Sequence, residues 1–220
     1  MLANQIFHPA NPTLIFSMEK CGSTTVMEAI KSAGLEAGRV TKETVKQFPH
    51  DVSRIITLVR DPIAWAISYY WEMPNAHPDQ LVEPENFGTV QNFMLNVNLA
   101  YATSWLDLYF REIIGVHCYG QHFQKNRGWR IYSMDRILVL NTHMLMDTLG
   151  DALSEFLGVM DTFTVEHRAK GSERHGEQYQ EFIEQVKFPR TFLHNLYEDR
   201  YCFHFFNFED RNRWLNKWVK

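Results

Sequence analysis

The chain has 220 residues, 45% of them hydrophobic and 22% charged, with 22 Lys and Arg against 26 Asp and Glu. That composition excludes collagen-like, disordered and disulfide-scaffold chains, and the formal charge of -4 excludes a global basic field for non-specific nucleic-acid binding. One sizeable core fits this length, so a single domain over residues 1–220 with a helical C-terminal cap is expected.

The three cysteines, Cys21, Cys118 and Cys202, show no framework spacing and are expected to be free thiols of a reducing compartment. The first residues lack a basic stretch followed by an apolar one, and no apolar run approaches the ~18 residues of a membrane span. The expectation is a cytoplasmic protein with no membrane span and no nucleic-acid partner.

In chain order, Thr13 to Met18 (TLIFSM) is too short for a helix and reads as a buried strand. Thr24 to Ala33 places Val26, Ile30 and Ala33 on one helical face, with Gly34 behind as a C-terminal stop. Gly38 to Thr41 is a weaker strand. Ile55 to Val59 (IITLV) is a further strand, after which Asp61 suits an N-cap and Pro62 a first helical turn. Pro74 to Gly88, with its three prolines, reads as a surface excursion. Asn98 to Gly115 carries helical periodicity, Arg136 to Leu140 (RILVL) is another strand, and the chain after Thr142 is predominantly helical. Strand, polar turn and helix thus alternate, which predicts an α/β fold with a central parallel sheet flanked by helices. In such sheets ligands bind beyond the carboxyl ends of the strands, where both polar turns fall.

The first turn, Glu19-Lys20-Cys21-Gly22-Ser23-Thr24-Thr25, leads straight into a helix, whose leading N–H groups form an anion cradle. Gly22 permits close approach to the backbone, Ser23, Thr24 and Thr25 offer hydroxyls, and Lys20 adds a full positive charge. A nucleoside-triphosphate loop would read G-x-x-x-x-G-K-S/T, whereas in this chain the lysine precedes Gly22 and Ser17 stands at the first glycine's place. The second turn offers Arg60, with Ser68 two helical turns further on, as a grip for a second phosphate.

Taken together, TLIFSMEKCGSTTVMEAIKSAG and ITLVRDPIAWAISYYWEM resemble the two cofactor motifs of sulfotransferases that use 3'-phosphoadenosine 5'-phosphosulfate (PAPS). The first is similar to their 5'-phosphosulfate loop, the second to their R-D/N-P motif with its following serine. Trp105 to Gly128, RILVLNTHML and the C-terminal stretch resemble later segments of a bacterial group named for capsular polysaccharide synthesis. The resemblance implies a three-layer, P-loop-like sulfotransferase fold. It implies that Lys20, Cys21, Gly22, Ser23, Thr24 and Thr25 hold the 5' end of PAPS, and that Arg60 and Ser68 hold the 3'-phosphate. It implies no metal. The chain departs from many such enzymes in having Ala64-Trp65 where they carry a further arginine, and no histidine between Arg39 and Thr44.

Sulfuryl transfer requires charge stabilisation on the leaving phosphate, a role that falls to Lys20, and a base for the acceptor hydroxyl. Glu43 is the first choice for that base and His50 the second, while Glu28 is expected to face away. The acceptor would be a small molecule or glycan. No paired Cys/His spacing supports a zinc site. Lys170 to Arg174 (KGSER) resembles the basic loops that close over the 3'-phosphate, although a solvated linker is the simpler account. Trp65, Tyr69, Tyr70 and Trp71, like Tyr197, Tyr201, Phe205 and Phe208, are expected to serve mainly as packing. Two other functions stay open: a catalytically silent nucleotide- or glycan-binding protein of the same fold, and a P-loop kinase-like phosphotransferase.

Overall fold

The computed structural model describes residues 7–8, 11–48, 53–76, 78–132, 136–160, 163–165 and 171–220. The elements run β1 (Phe7–His8), β2 (Asn11–Ile15), α1 (Ser23–Ser32), β3 (Gly38–Arg39), β4 (Arg54–Val59), α2 (Pro62–Tyr70) and α3 (Met73–Ala76). They continue through α4 (Val90–Asn96), α5 (Leu99–Trp105), α6 (Glu112–Ile114), β5 (Trp129–Tyr132), β6 (Ile137–Asn141) and α7 (Leu145–Leu157). The chain closes with α8 (Gly171–Gln185), α9 (Arg190–Tyr197), α10 (Arg200–Phe205) and α11 (Phe208–Trp218). Among the described residues, no helix is long and apolar enough to cross a membrane. The backbone divides into two compact units, Met1–Arg60 with Ser104–Arg168, and Asp61–Thr103 with Ala169–Lys220.

The first unit holds the sheet, a mostly parallel α/β arrangement. Its order is β3-β2-β4-β6-β5, with β1 antiparallel to β2. Strands β3, β2, β4 and β6 are parallel, in a register that pairs Leu14 with Ile55 and Val59 with Asn141. The residues that form these central strands, among them Leu14, Ile15, Ile56, Leu58, Val59, Leu138 and Leu140, are buried. Such a run, apolar on both faces, is what a covered parallel strand requires. Helix α1 buries Val26, Ala29 and Ile30 and stops at Gly34 (φ 70), where the Leu35 amide reaches back to the Ile30 carbonyl at 3.2 Å.

Several strands differ from the sequence reading: β1 was not expected, and β3 ends at Arg39 rather than Thr41. Strand β2 ends at Ile15 rather than running to Met18, because the Ser17 hydroxyl takes over the pairing: it accepts from the Leu58 amide at 3.2 Å and donates to the Leu58 carbonyl at 3.4 Å. Strand β5 was not expected; it pairs antiparallel with β6, Trp129 opposite Leu140, and buries Trp129 and Tyr132. All three cysteines are free and buried.

In the second unit, α2 contributes Tyr70 to an aromatic cluster with Trp71, Phe87, Phe93 and Phe182. The Tyr70 hydroxyl donates to Asn92 Oδ1 at 2.9 Å and accepts from the Gly88 amide at 2.9 Å, which pins the Pro74 to Gly88 segment at its end. The packing role expected of Tyr197, Tyr201 and Phe205 holds, since all three are buried, but Phe208 is exposed. Asn207 caps a new helix by accepting from the Asp210 amide at 2.7 Å, so the helical spacing restarts there and Phe208 leaves the buried stripe.

Candidate functional site

The loop between β2 and α1 is the sharpest feature of the first unit. Lys20 adopts φ 60 and Gly22 φ 96, two left-handed residues flanking a buried Cys21. Gly22 occupies the N-cap position of α1 without any side-chain cap, so the leading N–H groups of Ser23, Thr24 and Thr25 have no capping oxygen. A β-carbon at Gly22 would lie 3.2 Å from Leu145 Cδ2 as well as demanding a strained φ. Gly22→Ala is therefore expected to destabilise the protein by roughly 1–3 kcal/mol in urea denaturation; unchanged stability would mean that the loop does not need this backbone.

A carbonyl facing an anion repels it, and the loop engages two of its carbonyls with donors. An Nη of Arg60 donates to the Lys20 carbonyl. Thr142 Oγ1 donates to the Cys21 carbonyl at 2.7 Å. Arg60 directly follows β4 and Thr142 directly follows β6, so the segments beyond three adjacent parallel strands tie one loop. Strand β2 is followed in the chain by β3 on one side of it, while β4 is followed by β5 and β6 on the other side. The crevice between β2 and β4 is thus a topological switch point, where open parallel sheets take their ligands.

Lys20, Cys21, Gly22, Ser23, Thr24, Thr25 and Arg60 all lie at this edge. Thr24 is exposed, Lys20 and Arg60 half-buried, and Ser23 and Thr25 buried. Burial pushes the Cys21 thiol up to about 12, against the opposing pull of the Arg60 charge and the Ser17 hydroxyl, so it stays neutral and serves through its backbone. Ser68 belongs to the second unit, half-buried in α2.

Two residues that the sequence reading missed complete the edge. Thr142 is one. Asn141, fully buried, accepts from the His143 amide at 3.0 Å through Oδ1, while its Nδ2 has no hydrogen-bond partner among the described residues. The signal for both was a polar Asn-Thr pair placed directly after the apolar run RILVL.

Glu43 sits on an exposed turn in which the Thr41 amide donates to Thr44 Oγ1 at 2.8 Å and the Glu43 amide to Thr41 Oγ1 at 3.3 Å. The hydrogen bond from Thr41 and, more weakly, Lys42 and Lys46 hold its carboxyl below the usual range. These outweigh the small desolvation that acts the other way, so the net effect lowers its basicity. His50 and Lys170 lie outside the described residues, as do the side chains of residues 171–174. Among the described residues no cluster of three or more His, Cys, Asp or Glu could hold a metal ion.

Comparison with models of known protein families finds no match, and comparison with curated protein sequences finds none either.

Proposed function

We propose that this chain is a sulfotransferase that moves a sulfuryl group from PAPS to a hydroxyl of a carbohydrate or related small acceptor. The observation that carries the reading is the β2–α1 loop, whose helix N-terminus lacks a side-chain cap while Arg60 and Thr142 occupy the Lys20 and Cys21 carbonyls. Such a loop favours an anionic group at the end of the helix. The order Lys20 before Gly22 supports a phosphosulfate over a magnesium-bound triphosphate, since a kinase loop carries its lysine after the second glycine. The unpartnered Asn141 amide adds a donor at the same sheet edge.

In this reading the loop amides and Lys20 bind the 5' group, and Arg60 binds the 3'-phosphate. The acceptor oxygen forms its bond to sulfur as the bond between sulfur and the bridging phosphate oxygen breaks, and 3'-phosphoadenosine 5'-phosphate leaves. The hydroxyl proton passes to a base. Glu43→Gln tests the first choice for that base. Because the carboxylate is exposed and held low, an unchanged rate is expected, which hands the role to His50 or another residue; a fall of about 10²–10⁴ would assign it to Glu43.

Calorimetric titration with 3'-phosphoadenosine 5'-phosphate, beside ATP with magnesium, tests the whole reading. Binding of the former is expected, weakened about tenfold or more in Arg60→Ala by loss of a charge-assisted contact. No binding, or preference for magnesium ATP, would overturn it. Binding of the bisphosphate without turnover on any acceptor would favour the silent nucleotide-binding module instead.

A further inference from the structure

The proposed transfer needs a base for the acceptor hydroxyl, and the exposed Glu43 carboxylate is held low. The turn after β6 lies against the β2–α1 loop itself, within the first unit. Thr142 Oγ1 donates to the Cys21 carbonyl at 2.7 Å, and a β-carbon at Gly22 would lie 3.6 Å from Thr142 Cγ2 and 3.2 Å from Leu145 Cδ2. Residues on both sides of His143 therefore touch the loop. One peptide, about 3.8 Å between α-carbons, separates His143 from Thr142.

That turn fixes where the imidazole stands. Thr142–Met144 is a single turn of 3-10 helix, opened by Asn141, whose Oδ1 accepts from the His143 amide at 3.0 Å, and closed by the Leu145 amide on the Thr142 carbonyl. Residues three apart share one side of such a turn, and successive residues are about 120° apart. Thr142 and Leu145 thus share the side that meets Gly22, and His143 stands a third of a turn round from it. Accordingly His143 is exposed, while Thr142 is half-buried and Leu145 buried. Cys21, Leu58 and Leu145 fill the inner side of the loop, so an acceptor arrives from the solvent side, on whose rim His143 sits.

The chemistry favours an imidazole over the carboxylates that follow the neighbouring strands. Glu19 after β2 and Glu43 after β3 are exposed and carry a negative charge in their basic form, which repels an anionic co-substrate. A neutral imidazole does not repel it, and on taking a proton becomes a cation beside the anion that leaves. We infer that His143 is the general base of the proposed transfer. Its ring nitrogen takes the hydroxyl proton as the acceptor oxygen bonds to sulfur, and the electron pair of the broken sulfur–oxygen bond leaves with 3'-phosphoadenosine 5'-phosphate. The inference rests on the loop binding PAPS.

Three measurements on the full chain test it. In calorimetry with 3'-phosphoadenosine 5'-phosphate, His143→Gln is expected to bind as wild type does, because any residue supplies the backbone amide that Asn141 accepts. In NMR, the ring C–H signal of His143, assigned by its absence from His143→Gln, is expected to shift when the same bisphosphate is added. Turnover of PAPS with a panel of methyl glycosides, read as release of the bisphosphate, is expected to fall about 10²–10⁴ in His143→Gln. Added imidazole is expected to restore part of the rate in His143→Ala, which a merely structural role would not allow. No binding of the bisphosphate to wild type would overturn the PAPS reading and the base with it. Binding without turnover on any glycoside would favour the silent module and overturn the base. Binding with an unmoved His143 signal, a wild-type rate in His143→Gln, or a loss of affinity that matches the loss of rate would overturn the base alone and leave the cofactor reading standing.

Discussion

Asp61→Ala is expected to lower stability by about 2–4 kcal/mol, seen as a fall of roughly 5–15 °C in Tm by circular dichroism. The reason is the number of donors that converge on one buried carboxyl. Asp61 accepts from the Ile63 amide at 3.2 Å and the Ala64 amide at 3.3 Å, capping α2. It also accepts from the Tyr197 hydroxyl at 2.9 Å and from Trp218 Nε1 at 3.3 Å, joining α2 to α9 and α11 within the second unit. Burial and the neighbouring carboxyl push the Tyr197 hydroxyl up, which keeps it a donor. Alanine removes the cap and leaves two buried donors unsatisfied, although the relief of desolvating a carboxylate offsets part of the loss.

The same residue gives the protein a pH signature. Burial raises the Asp61 pKa above its ordinary value of 3.8, more than its four hydrogen bonds lower it. The folded state therefore binds a proton more tightly than the unfolded one. Its contribution to stability is fully present below the ordinary carboxylate range and is lost as pH rises through the raised value. Asp61→Asn removes that titration. It also turns an amide donor toward groups that donate, so it is destabilising at every pH. The stability difference between wild type and Asp61→Asn, measured by urea denaturation, is expected to be largest at the acid end and to shrink as pH rises through the raised value. A difference that grew with pH would mean that the carboxyl is stabilised as the anion.

Asp61 also shows what the sequence could reveal. Its role as N-cap was legible from Asp-Pro after an apolar run, because capping is local. Its partners Tyr197 and Trp218 lie 136 and 157 residues away, and no local pattern names them. The candidate loop divides the same way. Lys20, Gly22 and the following hydroxyls were legible as an anion cradle, since the turn and the helix start are encoded within seven residues. The engagement of its carbonyls by Arg60 and Thr142 depends on strand pairing across 40 and 121 residues. Strands β2, β4 and β6 announced themselves as apolar runs, as doubly covered strands do. Strand β5 did not, because Arg130 and Ile131 between its buried Trp129 and Tyr132 are only half-buried. The aromatic residues of α2 were expected to pack, and Tyr70 and Trp71 do; that Trp65 and Tyr69 also wall a cavity follows from Asn98 and Tyr101, which the helical pattern alone does not bring together with them.

Under the proposed reading, Lys20→Ala is expected to reduce kcat by about 10²–10³, the usual effect of removing one donor from a site of developing negative charge. The φ of 60 at Lys20 supplies the control that separates charge from conformation. Alanine deletes the ammonium and keeps the strained left-handed backbone, whereas glycine deletes the ammonium and relieves the strain. Lys20→Gly is therefore expected to be more stable than Lys20→Ala by ~1 kcal/mol, yet equally impaired in turnover. Lys20→Arg keeps the charge and should recover part of the rate, falling short because a planar guanidinium does not replace a compact ammonium. The Lys20 carbonyl engages Arg60 whatever side chain stands there, so none of these substitutions removes that backbone tie. Turnover restored in Lys20→Gly would show that the loop's shape rather than its charge carries the reaction. Turnover unchanged in all three variants would remove Lys20 from the reaction and leave stabilisation of the leaving group to the helix N-terminus and Arg60.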